Sequence, residues 1–304
     1  MGGPELKKDG LSIGTVERET GVAKDTLRVW EKRYGFPMPS RDSNGERVYS
    51  RDQVEKLILI KRLIDRGARP AKVVGLTVPE LIARTDAGAG ETKDPPELRD
   101  ILELVKAHDI AGLRKRLDQA LLQQGLEGFL QQTIAPLNPM VGDAWMRGEL
   151  QVFEEHLYTE AVQILLRSSI ATLPRPGGEP RVLLTTLPGE LHVLGLLMAE
   201  CELWIHGATC VPLGPQTPVR EIARAAEVEH ANVVGLSFSP AYPGQTAIDT
   251  LTTLRSMLPR TIEIWVGGSN STLFRRQIDG VVPVRELPAI SDAVARWRAH
   301  RPGA

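Results

Sequence analysis

The sequence predicts a multidomain chain built from three architectures. They are an α winged helix-turn-helix, a four-helix bundle and an α/β doubly wound, flavodoxin-like parallel sheet. Three observations carry that prediction. Residues 12–75 hold short helical patterns punctuated by glycines, with an Asn-Gly hairpin between them. Residues 97–173 carry leucines and other apolar residues at three- and four-residue spacing. From Arg181 onward, short and continuously apolar β-rich runs alternate with helical patterns, the signature of parallel strands buried on both faces.

In the first block, residues 12–34 read SIGTVERETGVAKDTLRVWEKRY. A first helix turns Ile13 and Val16 inward and is stopped by Gly21; a second carries Thr26, Leu27, Val29 and Trp30. Two short helices about a tight glycine turn are the pattern whose second helix enters the major groove of DNA. Asn44-Gly45 is a strong hairpin signal, flanked by Arg41, Arg47 and Tyr49. Ser50 then opens a capping box with Gln53 for the helix that continues to Arg66. Residues 77–96, TVPELIARTDAGAGETKDPP, lack sustained periodicity and read as a linker.

The middle block places Ile101, Leu102 and Val105, then Leu113, Leu117 and Leu121, then Val162, Leu165 and Leu166 on helical faces. Breaks at Gly125, Pro136–Pro139 and Gly148 divide it into about four helices. The last block sets strands at 181–187, 208–214, 232–239, 261–268 and 280–284. Helices are expected near 193–204, 219–230, 246–258, 271–278 and 290–300. In such sheets the chemistry lies in the loops outside the carboxyl ends of the strands. The expected domains are therefore 11–76, 97–175 and 180–304, with 77–96 between the first two.

Composition narrows the class. With 42% hydrophobic and 25% charged residues, the chain is ordinary globular protein. The opening MGGPELKKDG has no apolar core for a signal peptide, and no run reaches eighteen apolar residues, so a cytoplasmic protein without membrane attachment is expected. Cys201 and Cys210 fit neither a disulfide framework nor a multi-cysteine zinc site and read as buried small hydrophobes. Trp204 and Trp265 read as core, and His108, His206, His230 and His300 as surface. Although 37 basic and 38 acidic residues nearly cancel, residues 11–75 hold 14 Lys/Arg against 9 Asp/Glu. The remainder is left at −6. A basic module on an acidic body is what phosphate neutralisation calls for.

The run TLRVWEKRYGFPMPSR…GERVYS, with the helix after it, resembles the winged helix-turn-helix of MerR-type transcription regulators. That resemblance implies double-stranded operator DNA as partner. Thr26, Arg28, Lys32 and Arg33 would lie along the groove or its phosphates, with Arg41, Arg47 and Tyr49 at the wing. Taken singly, Arg28 and Arg33 are equally a solvated helix face. The metal-sensing members ligate through cysteines beside a dimerisation helix; no cysteine precedes Cys201 here, so the effector must be read by the later blocks.

After the first predicted strand of the sheet comes Pro188-Gly189-Glu190-Leu191-His192-Val193-Leu194-Gly195. Ser237 follows the third strand and Gly267-Gly268 the fourth, so a histidine, a small hydroxyl and a double glycine fall on successive loops at one sheet edge. This resembles the cobalamin-binding fold of corrinoid methyltransferases and mutases, with its Asp-x-His-x-x-Gly, Ser-x-Leu and Gly-Gly motifs. The intervals agree as well: 41 residues separate Gly195 from Ser237, and 27 separate Ser239 from Gly267. The resemblance implies that His192 takes the cobalt from below, with Glu190 fixing its tautomer. Gly195, Gly267 and Gly268 would clear a path for the displaced nucleotide tail, and Ser237 would hydrogen-bond it. Glu190 stands where the family has Asp, and Ser239 where it has Leu, the latter a change of packing more than of chemistry.

Trp145, nine residues, then Glu155-His156 resembles the upper face of the light-sensing cobalamin regulators of the CarH/LitR type, which join a MerR-type head to this bundle and sheet. That resemblance implies adenosylcobalamin covered by Trp145 and contacted by the Glu155–His156 pair. It also implies self-association as dimer or tetramer, a dark-state repressor, and release on light-driven cobalt–carbon cleavage. Where members that lock the lit state with a second axial histidine carry it, this chain has Met146, so no stable bis-histidine product is expected there. A cobalamin-level sensor that ignores light and a corrinoid methyl-transfer shuttle are the competing readings. The shuttle has no use for a groove-binding module, and no nucleophile–base constellation marks an enzyme.

Overall fold

The computed structural model describes residues 10–42, 45–65, 68–86, 95–173, 177–240, 242–270, 273–275 and 277–300, without the side chains of Arg18, Asp65, Thr85, Asp86 and Met146. The chain divides into two compact units, residues 1–93 and 94–304.

In the N-terminal unit β1 (Leu11–Ser12) leads into α1 (Ile13–Thr20) and α2 (Lys24–Tyr34). Ser12 caps α1 by accepting from the Thr15 amide, and Gly21, at φ 66°, ends it in the left-handed conformation that favours glycine. Next come β2 (Ser40–Arg41) and β3 (Arg47–Tyr49), and β3 lies between β1 and β2 in an antiparallel sheet. Then follow α3 (Arg51–Asp65), α4 (Pro70–Val73) and α5 (Val78–Asp86). One core joins Val16, Leu27, Trp30, Tyr49, Leu57, Ile60 and Leu81. Leu27 and Trp30 are the buried face of α2; Val29, expected with them, is 55% exposed.

Helix α5 corrects the linker reading of 77–96, because its first half is ordered and its Leu81 is fully buried. The signal was present in the sequence. Thr77-Val78-Pro79-Glu80 pairs a hydroxyl residue with a glutamate three positions on, and Glu80 accepts from both the amide and the hydroxyl of Thr77 at 2.7 Å. Asn44 and Gly67 lie outside the described residues; Gly45 turns the hairpin at φ 79°.

The C-terminal unit begins with α6 (Pro96–Lys106) and α7 (Ile110–Gly128), passes through a π-helical stretch (Phe129–Ile134), and continues with α8 (Ala135–Arg147) and α9 (Val152–Thr172). Gly125 and Gly148 interrupt the backbone as expected, at φ 68° and 77°. The break expected at Pro136–Pro139 is absent, since both prolines lie within α8. Pro136 falls in the first turn, where a missing N–H costs little. The remaining break is instead at His108–Asp109, where Asp109 caps α7 through the Gly112 amide at 2.8 Å.

The sheet alternates β4 (Arg181–Thr185), α10 (Leu194–Ile205), β5 (Thr209–Gly214), α11 (Val219–Val228), β6 (Val233–Phe238), α12 (Gly244–Met257), β7 (Glu263–Gly268), β8 (Val281–Pro283) and α13 (Ala289–Ala299). All five strands are parallel, in the order β5-β4-β6-β7-β8. Near 271–278 the described residues form only a single 3₁₀ turn, Leu273–Arg275, in place of the expected helix. The chain leaves β4 toward β5 on one side and later returns to β6 on the other. Such a switch of direction opens a crevice beyond the strand ends. Helix α10 is apolar almost all round. Leu197, Met198 and Cys201 enter the bundle core, while Leu196 and Leu203 enter the sheet core. A helix of that composition is stable only where it is covered on every side.

Candidate functional site

The loop after β4 is organised around one buried carboxylate. Glu190 is 2% exposed. Its Oε1 accepts from His192 Nδ1 at 2.6 Å and from the His192 amide at 3.0 Å, and its Oε2 accepts from the amide and hydroxyl of Ser239, each at 2.8 Å. Burial pushes the Glu190 carboxyl up, but the bonds from the His192 ring and from the Ser239 and His192 amides more than offset it, holding it below the usual carboxylate range. An ionised carboxylate only accepts, so Nδ1 carries a proton, and the neutral form of the ring has its lone pair on Nε2. The imidazole side chain is 65% exposed, directed outward from this anchor. The loop is braced further by Thr186, whose hydroxyl donates to the Glu190 carbonyl, and by Tyr242, whose hydroxyl donates to Pro188.

Beside the loop runs an edge stripped of side chains. Ser237 on β6 lies opposite Gly267 on β7, and Phe238 opposite Gly268. A β-carbon built on Gly195 would come within 2.9 Å of Ser237 Oγ, so any side chain there would close the space in front of that hydroxyl. Gly268 is glycine for a different reason. At φ 100°, a β-carbon would strike the Phe238 carbonyl oxygen at 2.1 Å, so the sheet itself excludes other residues.

On the bundle, Trp145 is half-buried near the end of α8 and packs on the bundle core. Glu155 and His156 lie in the first turns of α9. The Glu155 carboxylate bonds His156 Nδ1 at 2.8 Å and accepts from Thr159 at 2.7 Å, with the histidine side chain 72% exposed. The backbone of Met146 continues α8; its side chain lies outside the described residues.

In the N-terminal unit α2 exposes Arg28, Lys32 and Arg33, with Thr26 half-buried. Arg28 pairs with Asp25 at 2.8 Å, and Arg41 donates to the Gly45 carbonyl at 2.6 Å across the hairpin. Arg47 is held against Glu31 of α2 at 2.8 Å, tying the wing to the second helix.

Residues 11–77 match the MerR HTH family of regulatory proteins, and residues 97–168 match the B12 binding domain. The HTH-type transcriptional repressor CarH of Myxococcus xanthus is 32% identical over 257 residues, covering 82% of this chain and 85% of that one. CarA, a second HTH-type transcriptional repressor of Myxococcus xanthus, is 34% identical over 234 residues, covering 75% and 76%. This chain belongs to the CarH family of transcriptional repressors. Among solved structures, the monomethylamine corrinoid protein of Methanosarcina barkeri superposes with a TM-score of 0.54 at 14% identity, over 66% of this chain and 96% of that one, and shares its fold.

In this CarH-family regulator the structure brings Glu190, His192 and Ser239 into direct contact and sets Gly195 against Ser237. It departs from expectation at Tyr49. That ring is fully buried in the N-terminal core with its hydroxyl unpartnered, not laid on the exposed wing. Burial accordingly pushes its phenol up. His206, expected at the surface, is half-buried, its side chain 24% exposed. Cys201 and Cys210 are buried as expected, the first with its thiol pushed up to about 12 by burial.

One named residue plays another part than the packing one read for it, and one contributor, Asn270, was missed. Ser239 is a hydrogen-bonding anchor, not a packing substitute, which becomes visible only once β6 is set beside β4. Asn270, 3% exposed, donates to the carbonyls of Ser239 and Tyr242 and so holds the loop after β6; nothing in its local sequence marks it.

Proposed function

We propose that this chain is a cobalamin-dependent repressor that holds adenosylcobalamin between bundle and sheet and leaves operator DNA on illumination. The observation that carries the reading is the hydrogen bond from His192 Nδ1 to the buried Glu190, set beside the open edge at Gly195 and Ser237. The donor set suits the cofactor. His192 presents Nε2 outward to take cobalt, and Glu190 fixes the tautomer and raises the basicity of the ring. Ser237 supplies a hydroxyl to the nucleotide tail in the space that Gly195 keeps clear. Trp145 and the Glu155–His156 pair would cover the adenosyl side. When bound, the cofactor supplies a cobalt–carbon bond that visible light can break.

In allosteric terms, the residues of the bundle and the His192 loop favour one packing while both faces of the ligand are engaged. The exposed cations of α2, with Arg41 and Arg47 of the wing, would meet the operator through phosphates and groove. Self-association as dimer or tetramer would multiply those contacts.

Purified protein mixed with adenosylcobalamin in darkness, followed by absorption and light scattering before and after green light, tests the reading. A histidine-ligated spectrum with an oligomer that shrinks on illumination is expected. Binding without a size change would replace light with cofactor level as the signal. Absence of binding would overturn the cofactor assignment.

A further inference from the structure

The C-terminal unit carries a second cluster of metal-ligating side chains that the cofactor site does not use. Glu127 near the end of α7, Glu202 in the last turn of α10 and His206 just beyond α10 each place one ligand atom within 4.8 Å of the others. His206 follows the end of α10 opposite the His192 loop, about 18 Å away along the helix axis. The two sites are separate.

What distinguishes this cluster from an ordinary acidic patch is Glu202. Its carboxylate is fully buried. Oε1 accepts from Gln131 Nε2 at 3.1 Å, but Oε2 has no hydrogen-bond partner, and His206 Nε2 stands 3.6 Å from it, beyond hydrogen-bond length. A buried, unsatisfied carboxylate oxygen is costly and calls for a compensating charge. Burial, and then the neighbouring Glu127, push the Glu202 carboxyl up, so a proton is the competing occupant.

Local structure supports a ligand. Glu127 and Gln131 flank the start of the π-helical stretch, and such departures from α-helical register concentrate at functional sites. We propose that Glu127, Glu202 and His206 form a site for a single divalent transition-metal cation of the zinc class. Two carboxylates and a neutral imidazole match both the charge and the ligand preference of such an ion. Metal–ligand bonds of about 2.0–2.2 Å place ligand atoms roughly 3.0–3.5 Å apart. With ligand atoms within 4.8 Å of one another the cluster would contract by about 1–2 Å, a movement that the exposed Glu127 can supply. A filled site would staple the end of α7 to the end of α10, joining the bundle to the first helix of the sheet layer.

The test uses full-length protein stripped with a chelator and titrated with Zn²⁺ by calorimetry, with thermal unfolding read in parallel. Expected are one Zn²⁺ per chain and a zinc-dependent rise in Tm. Both should be lost, or weakened by about 10-fold or more, in Glu127→Gln and in His206→Ala. The first of these variants sits on an exposed position and leaves the core untouched. His192→Ala should keep both effects. No stoichiometric uptake, uptake unchanged in the two variants, or uptake abolished by His192→Ala would each overturn the assignment. So would Glu202→Gln raising the Tm of wild-type-like protein that takes up no zinc, which would identify a buried proton instead.

Discussion

Replacing Glu190 by Gln isolates the role of one carboxylate. Glu190 accepts four hydrogen bonds, two from His192 and two from Ser239, and two of the four donors are backbone amides that cannot turn away. An amide side chain offers a single oxygen. Aimed at Ser239, that oxygen leaves the His192 amide and ring facing an NH₂ group. The ring then accepts at Nδ1 and carries its proton on Nε2, where it can no longer ligate. Aimed at His192, it leaves the Ser239 amide unpaired. Either way a backbone N–H at a buried site loses its partner, a cost of about 1–3 kcal/mol in folding stability. Loss of an orienting carboxylate typically weakens metal binding 10- to 100-fold, about 1.4–2.8 kcal/mol. Absorption titration of the full chain with adenosylcobalamin in the dark measures the second quantity, and thermal unfolding without cofactor measures the first. If His192→Ala abolishes ligation while Glu190→Gln binds within twofold of the unmodified chain, the tautomer argument is wrong.

Three further outcomes are expected. The Glu190 carboxyl is held below its unfolded value, so its stabilisation is complete above the ordinary carboxylate range and is lost as pH falls through its native pKa. The stability difference between wild type and Glu190→Gln should therefore shrink on acidification, as urea unfolding across the acid range would show; a constant difference would contradict the assigned shift. Tyr49→Phe removes a buried hydroxyl without a partner, so chemical denaturation should find stability unchanged or raised by up to about 1 kcal/mol. Operator affinity should also be unchanged; a large loss would return Tyr49 to the DNA interface. Tyr158→Phe deletes the bond from the buried Tyr158 hydroxyl to Asn138 Oδ1 at 2.6 Å, on a half-buried residue, and should cost about 0.5–1.5 kcal/mol by the same measurement.

The parallel sheet was legible because its strands are continuously apolar and separated by helical patterns, and the observed strands lie within one or two residues of the expected runs at most ends. The glycine stops at Gly21 and Gly148 were legible for a stereochemical reason, since both adopt left-handed φ. Prolines misled. Pro136 and Pro139 suggested a break, yet the chain absorbs them inside α8 behind a π-helical stretch that no residue pattern announces. At the candidate site, Glu190 and His192 stand two residues apart and could be paired from spacing alone. Ser239 could not, because its contact with Glu190 spans 49 positions and depends on which strand neighbours which. Tyr49 shows the limit of reading a wing from its residue types, since alternation along β3 decides which side chain turns inward and a three-residue strand carries too few positions to reveal it.

Helix α10 sets a limit on modularity. Because Leu197, Met198 and Cys201 belong to the bundle's apolar core while Leu196 and Leu203 belong to the sheet's, a cut between residues 173 and 180 would strip a large hydrophobic face from each fragment. The two halves of the C-terminal unit are thus not exchangeable parts. A chimera that borrows a sheet from one relative and a bundle from another must carry α10 matched to both, and recombination should be tolerated far better between residues 87 and 94, just ahead of α6.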